Sequence, residues 1–121
     1  MRSAAIICEY NPFHQGHKYH IEETRRLAEA ECIIAIMSGC FVQRGEPAIQ
    51  DEQSRAQQAI AGGADLVMEL PYVYACSGVY IRQLHNQVRS SPEISFRSGS
   101  NRKFVKPSQN SSPHFPLISE K

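Results

Sequence analysis

Three short apolar runs, separated by two stretches each long enough for a helix, constrain this chain more than any other feature. They are Ala4-Ala5-Ile6-Ile7-Cys8, Cys32-Ile33-Ile34-Ala35-Ile36-Met37 and Asp65-Leu66-Val67-Met68-Glu69-Leu70. Short continuous apolar runs between polar loops are the pattern of strands buried on both faces. After the first run, His17, His20, Ile21, Thr24, Leu27 and Ala28 recur at spacings of three and four, which predicts a helix over residues 16–31. After the second, Asp51 can cap a helix whose buried stripe is Arg55-Ala56 and Ala59-Ile60, with Gly62-Gly63 as its stop. Pro71 ends the third strand. Strand–helix–strand–helix–strand implies parallel strands joined by right-handed crossovers. The expected fold is therefore α/β, a partial doubly wound, Rossmann-like parallel sheet of about three strands.

Ligands on such sheets bind beyond the carboxyl ends of the strands, so the loops at 9–16 and 38–51 are where chemistry is expected. In the first, Gly16 has no side chain, and a phosphate could approach the opening amides of the helix, whose N-terminus attracts anions. His14 and His17 flank that glycine and could donate to phosphate oxygens or to a leaving pyrophosphate. His20, one turn further on, is expected at the pocket floor. Asn11-Pro12 makes a turn that presents the loop. Glu9 ends the strand, placed to orient a ribose or an amine, or to accept backbone hydrogen bonds. In the second loop, Arg44 can fork two oxygens of a phosphate, or else pair with Glu46 or Glu52, and Gln43 can hydrogen-bond a base or the backbone. Two other readings of the histidines stay open: a zinc site built from His14, His17 and His20 with Glu9, or rings that only cap and pack.

Beyond the third run the character of the chain changes. Residues 1–78 hold six Lys and Arg against ten Asp and Glu, a net of −4, whereas residues 79–121 hold seven against two, a net of +5. The second part is rich in Ser and Pro, and its apolar residues are isolated. Such a segment buries too little to offset the entropy of ordering it, and it reads as a disordered basic tail. No apolar run approaches the roughly 18 residues of a membrane span, which points to no membrane partner. The apolar start is too short for a secretory signal. Cys8, Cys32, Cys40 and Cys76 lack CxxC spacing. Reduced thiols in a cytoplasmic protein are expected.

The loop sequences are specific enough to resemble a family. Ile6-Ile7-Cys8-Glu9-Tyr10-Asn11-Pro12-Phe13-His14-Gln15-Gly16-His17 is similar to the opening of bacterial tRNA(Met) cytidine acetate ligases, of the HIGH-type nucleotidyltransferase superfamily. Met37-Ser38-Gly39-Cys40-Phe41-Val42-Gln43-Arg44-Gly45-Glu46-Pro47-Ala48 resembles their second signature, and Gly63-Ala64-Asp65-Leu66-Val67-Met68-Glu69-Leu70-Pro71 their third. The match covers residues 4–77. It implies a ligase that activates acetate with ATP as acetyl-adenylate, with Mg²⁺ a further expectation. The acetyl group then passes to the wobble cytidine of elongator tRNA(Met), giving N4-acetylcytidine.

By the same resemblance Ile7, Cys8, Glu9, Tyr10, Asn11, Pro12, Phe13, His14, Gln15, Gly16, His17, Lys18, Tyr19 and His20 hold ATP, with His14 and His17 as the catalytic pair. Ser38, Gly39, Gln43 and Arg44 are candidate phosphate or substrate contacts. Two departures stand out. Glu52 and Gln53 follow Asp51 where the family pattern has a basic and then an aromatic residue, and an inward Glu52 would weaken a triphosphate site. The resemblance also stops at Gly78, which divides the chain into an ATP-binding nucleotidyltransferase-like part, 1–78, and an unrelated tail, 79–121. The alternative expectation is accordingly a truncated, catalytically inactive fragment that retains a partial nucleotide-phosphate site.

Overall fold

The computed structural model describes residues 1–77 and 94–98. Strands β1 (Ser3–Cys8), β2 (Cys32–Ser38) and β3 (Leu66–Leu70) form where the apolar runs lie, with helices α1 (Gln15–Ala28) and α2 (Glu52–Ala61) between them. The strands pair in parallel, β1 with β2 from Ser3↔Cys32 to Cys8↔Met37, and β2 with β3 from Ile34↔Leu66 to Ser38↔Leu70. A short helix α3 (Tyr72–Ala75) follows Pro71. The sequence reading had no helix there.

One face of the sheet carries the core. Alternate side chains of a strand point to opposite faces, so Ala4 and Ile6 of β1 lie with Ile33, Ala35 and Met37 of β2. Ile21 and Ala28 of α1 and Ala59 of α2 pack onto them. The α2 stripe is narrower than its spacing implies: Arg55 and Ala59 are wholly buried, while Ile60 is 48% exposed. On the other sheet face Ala5 and Ile7 are buried, but Leu66 and Met68 are 46% and 51% exposed. β3 is the edge strand, so the expectation of burial on both faces fails there.

Helix α1 ends at Ala28, three residues before the expected 31, because Glu29 takes a left-handed conformation at φ 50°. Its N–H closes the helix on the carbonyls of Arg25 and Arg26. At α2, Asp51 Oδ1 accepts the Ser54 N–H at 2.8 Å, the cap its sequence position predicts.

The sheet has a fourth strand. β4 (Ile94–Ser98) runs parallel to β1, from Ser3↔Ile94 to Ile7↔Ser98. It lies within the stretch read as a disordered tail, and this corrects that reading for these five residues; the rest of the tail, 79–93 and 99–121, lies outside the described residues. Isolated apolar residues gave no strand period at 94–98. Backbone pairing along β1 supplies what periodicity did not show. The order β3-β2-β1-β4 means that the chain steps outward from β1 to β3 and then returns to its other side. The order reverses between β1 and β4, and a crevice opens beyond the carboxyl ends of such strands.

Candidate functional site

A cavity of about 900 Å³ opens at the carboxyl end of β1, beside that reversal. The first loop supplies most of its wall. Tyr10 leaves β1 with φ 49°, a conformation that costs a non-glycine residue about 1 kcal/mol. The turn sends its ring inward, where it is 2% exposed. Phe13 meets that ring edge-on at 4.9 Å, and His17 lies 4.9 Å from Tyr10 and 5.6 Å from Phe13. An aromatic cluster thus fixes the imidazole at the third position of α1.

The two candidate histidines cap the helix reciprocally. His14 Nδ1 accepts the Gly16 N–H at 3.0 Å, and His17 Nδ1 accepts the His14 N–H at 3.3 Å. Their rings stack at 3.7 Å, tilted by 24°. A ring nitrogen that accepts carries no proton, so each neutral ring keeps its proton on Nε2. Burial, and then the charge His14 would carry, hold the His17 pKa below its ordinary 6.5. Both rings line the cavity. Both rings therefore cap the helix, and the cap uses only Nδ1 of each. Gly16 lines the cavity as well, and a Cβ there would press into the His14 ring. Among the described residues no three His, Cys, Asp or Glu side chains are grouped to hold a metal.

The second loop is fastened to the first. Glu9 Oε1 accepts the Gln43 N–H at 2.8 Å, and Asn11 Oδ1 accepts the Ile49 N–H at 2.7 Å. Of the uses open to Glu9, the structure shows backbone acceptance. Gln43 and Arg44 both face the cavity, and among the described residues Arg44 has no ion pair. Ser38 Oγ is buried at the cavity wall with no hydrogen-bond partner among the described residues. A hydroxyl so placed gains from a ligand acceptor or donor. Cys8 lines the cavity too, but burial pushes its thiol up to about 12, which makes it a poor nucleophile. Glu52 turns away from the wall: its carboxylate accepts the Cys40 thiol at 3.2 Å, so the feared repulsion of phosphate is not set up.

Fourteen of the eighteen candidate residues line the cavity: Ile7, Cys8, Glu9, Tyr10, Asn11, Pro12, His14, Gly16, His17, Tyr19, His20, Ser38, Gln43 and Arg44. Phe13, Gln15, Lys18 and Gly39 do not. Phe13 packs inward, over Gly62, where a Cβ would strike its ring. Gln15 is exposed, and Lys18 reaches Glu22 across one helical turn at 4.0 Å. Gly39 is buried beneath the Glu69 carboxylate. Val42, Glu46, Leu70 and Ala75 complete the wall and were missed. Val42 and Glu46 lay within the quoted second signature, so proximity to Gln43 and Arg44 was a usable signal. Leu70 and Ala75 arrive only through the pairing of β3 and the turn at Pro71.

Comparison with known proteins places this arrangement. The family model described as HIGH Nucleotidyl Transferase matches residues 1–80. A tRNA(Met) cytidine acetate ligase of Oceanobacillus iheyensis is 59% identical over 75 residues, covering 62% of this chain and 19% of that protein. The same enzyme of Anoxybacillus flavithermus is 56% identical over 75 residues, with the same coverage. A crystal structure of Thermotoga maritima TmcAL bound with alpha-thio ATP (form II) matches with a TM-score of 0.61 at 48% identity, covering 64% of this chain and 19% of that one. The chain thus spans about a fifth of the length of the curated relatives it matches. With its first three strands, its capped histidine pair and its signature loops, the chain belongs to the HIGH nucleotidyl transferase family.

Proposed function

We propose that this chain holds ATP by its phosphates at the N-terminus of α1, as the ATP-binding part of a tRNA(Met) cytidine acetate ligase. The observation that carries the reading is the paired use of Nδ1 in His14 and His17, two residues that line the cavity beside the helix N-terminus, which leaves the Nε2 of each outside the cap. Donors fixed in advance in a half-enclosed site stabilise developing charge without having to reorganise. In the proposed reaction an acetate oxygen attacks the α-phosphorus of ATP and pyrophosphate leaves with the bonding electrons. The exocyclic amine of the cytidine then attacks the acetyl carbonyl, AMP departs, and the amine loses a proton. His14 and His17 donate their Nε2–H groups to the phosphates, Gly16 lets them approach, and Arg44 and Ser38 supply further contacts from the second loop. With no metal-holding group of side chains among the described residues, Mg²⁺ would be carried by the phosphates and water rather than by a protein cage. The likeness to an ATP-analogue-bound TmcAL and to named tRNA(Met) cytidine acetate ligases supports the reading. No described helix is long and apolar enough to cross a membrane, and a cytoplasmic location belongs to the same proposal.

Calorimetry with ATP tests it: micromolar affinity is expected, with a loss of at least tenfold in His17→Ala. Equal affinity in the two proteins would sink the assignment. The sheet face left exposed at Leu66 and Met68 favours a narrower second reading, in which ATP is held but acetate is not activated. Acetate-dependent exchange of labelled pyrophosphate into ATP separates the two: the first reading requires exchange, and the second predicts none.

A further inference from the structure

Arg55 was read from the sequence only as part of a buried stripe, yet its guanidinium is the largest wholly buried side chain among the described residues. Burying a charge is costly unless partners replace its water. Those partners are four backbone carbonyls. Nη1 donates to Glu9 O at 2.7 Å and Ser38 O at 3.0 Å, Nη2 donates to Gly39 O at 2.5 Å, and Nε donates to Gln50 O at 3.0 Å. One planar group therefore grips the chain just past β1, the end of β2, and both ends of the second loop. Three of these carbonyls lie where β1 and β2 run out into loops, and the fourth lies at the end of the second loop, just before α2. Among the described residues Arg55 has no ion-pair partner. Glu52, one turn earlier, feels its charge but turns to the Cys40 thiol.

We propose that Arg55 is a positioning residue of the phosphate site: it locks the second loop onto the first, sets Gln43 and Arg44 at the cavity, and leaves an unpaired positive charge behind the cavity wall. The ATP part of this inference rests on the function proposed above; the locking part does not. Both reporter bonds lie one step beyond the guanidinium. Glu9 holds the Gln43 N–H, and Asn11 holds the Ile49 N–H.

The experiment uses the full chain as wild type, Arg55→Met and Arg55→Lys, with amide hydrogen exchange and ATP calorimetry on each. Arg55→Met is expected to speed exchange at Gln43 and Ile49 at least tenfold, leave the β1 and β2 core amides of Ile6 and Ala35 unchanged, and weaken ATP at least tenfold. Arg55→Lys, which keeps the charge but not the fork, is expected to fall between. A uniform rise in exchange, core amides included, would mean general destabilisation and would overturn the proposal. So would loop exchange and ATP affinity within twofold of wild type. Should Arg55→Met fail to fold, Arg55→Lys decides alone: wild-type loop exchange in it overturns the locking role. Faster loop exchange in a protein whose wild type binds no ATP would support the lock while rejecting the nucleotide reading.

Discussion

At His17 one ring joins the cap of α1 to the aromatic cluster of the first loop, and this sets a direction for pH. Its pKa lies below the ordinary 6.5 because of burial first and His14 second. The folded protein therefore refuses a proton that the unfolded chain accepts. Stability is complete above pH 6.5, falls as the pH drops below that value, and levels off once His17 protonates in the folded state. Thermal melts at several pH values should show this fall in wild type and lose it in His17→Gln. A profile unchanged by the substitution would remove His17 as its source. Asp65 acts in a separate and lower window. The Ile33 N–H and then Arg25 hold its carboxyl below 3.8, so its contribution is lost only as the pH falls past that value. The histidine pair was legible in the sequence because glycine and histidine at a helix start suggest an anion site by their type alone. The reciprocal form of their cap was not, because it depends on which ring nitrogen meets which N–H.

Among the elements, α2 shows how far spacing carries. Its limits and its Asp51 cap follow from local sequence. Its most consequential residue, Arg55, was legible only as a member of the buried stripe, since no local pattern reveals carbonyls contributed by β1, β2 and a loop. The end of α2 is tied to the site as well. Phe13 lies over Gly62 while its ring also contacts Tyr10 and His17. Gly62→Ala pushes a methyl into that ring and should cost about 1–3 kcal/mol, as overpacking does. The measurement is denaturant unfolding, with ATP calorimetry beside it. A variant as stable as wild type would show that Phe13 can move without loss.

For the molecule as a whole, the order β3-β2-β1-β4 puts the cavity beside the reversal between β1 and β4 while leaving β3 at an edge. Leu66 and Met68 then present apolar surface on the face opposite α1 and α2. Exposed apolar surface on an edge strand invites association between copies. Met68→Lys should reduce self-association seen by sedimentation at high concentration, and change unfolding stability by no more than about 0.5 kcal/mol. Unchanged sedimentation would clear this face of that role.

The sequence by itself determined the three-strand α/β frame, the two signature loops and the place of the histidines, because apolar periodicity and helix capping act over a few residues. Only the tertiary structure decided that β4 pairs with β1, that Glu9 and Asn11 fasten the second loop, that Glu52 turns to Cys40, and that Arg55 reaches four carbonyls. Each of these joins residues at least five positions apart, most of them many more. Such contacts arise from where the backbone brings unpaired groups together, and residue type and spacing do not record that.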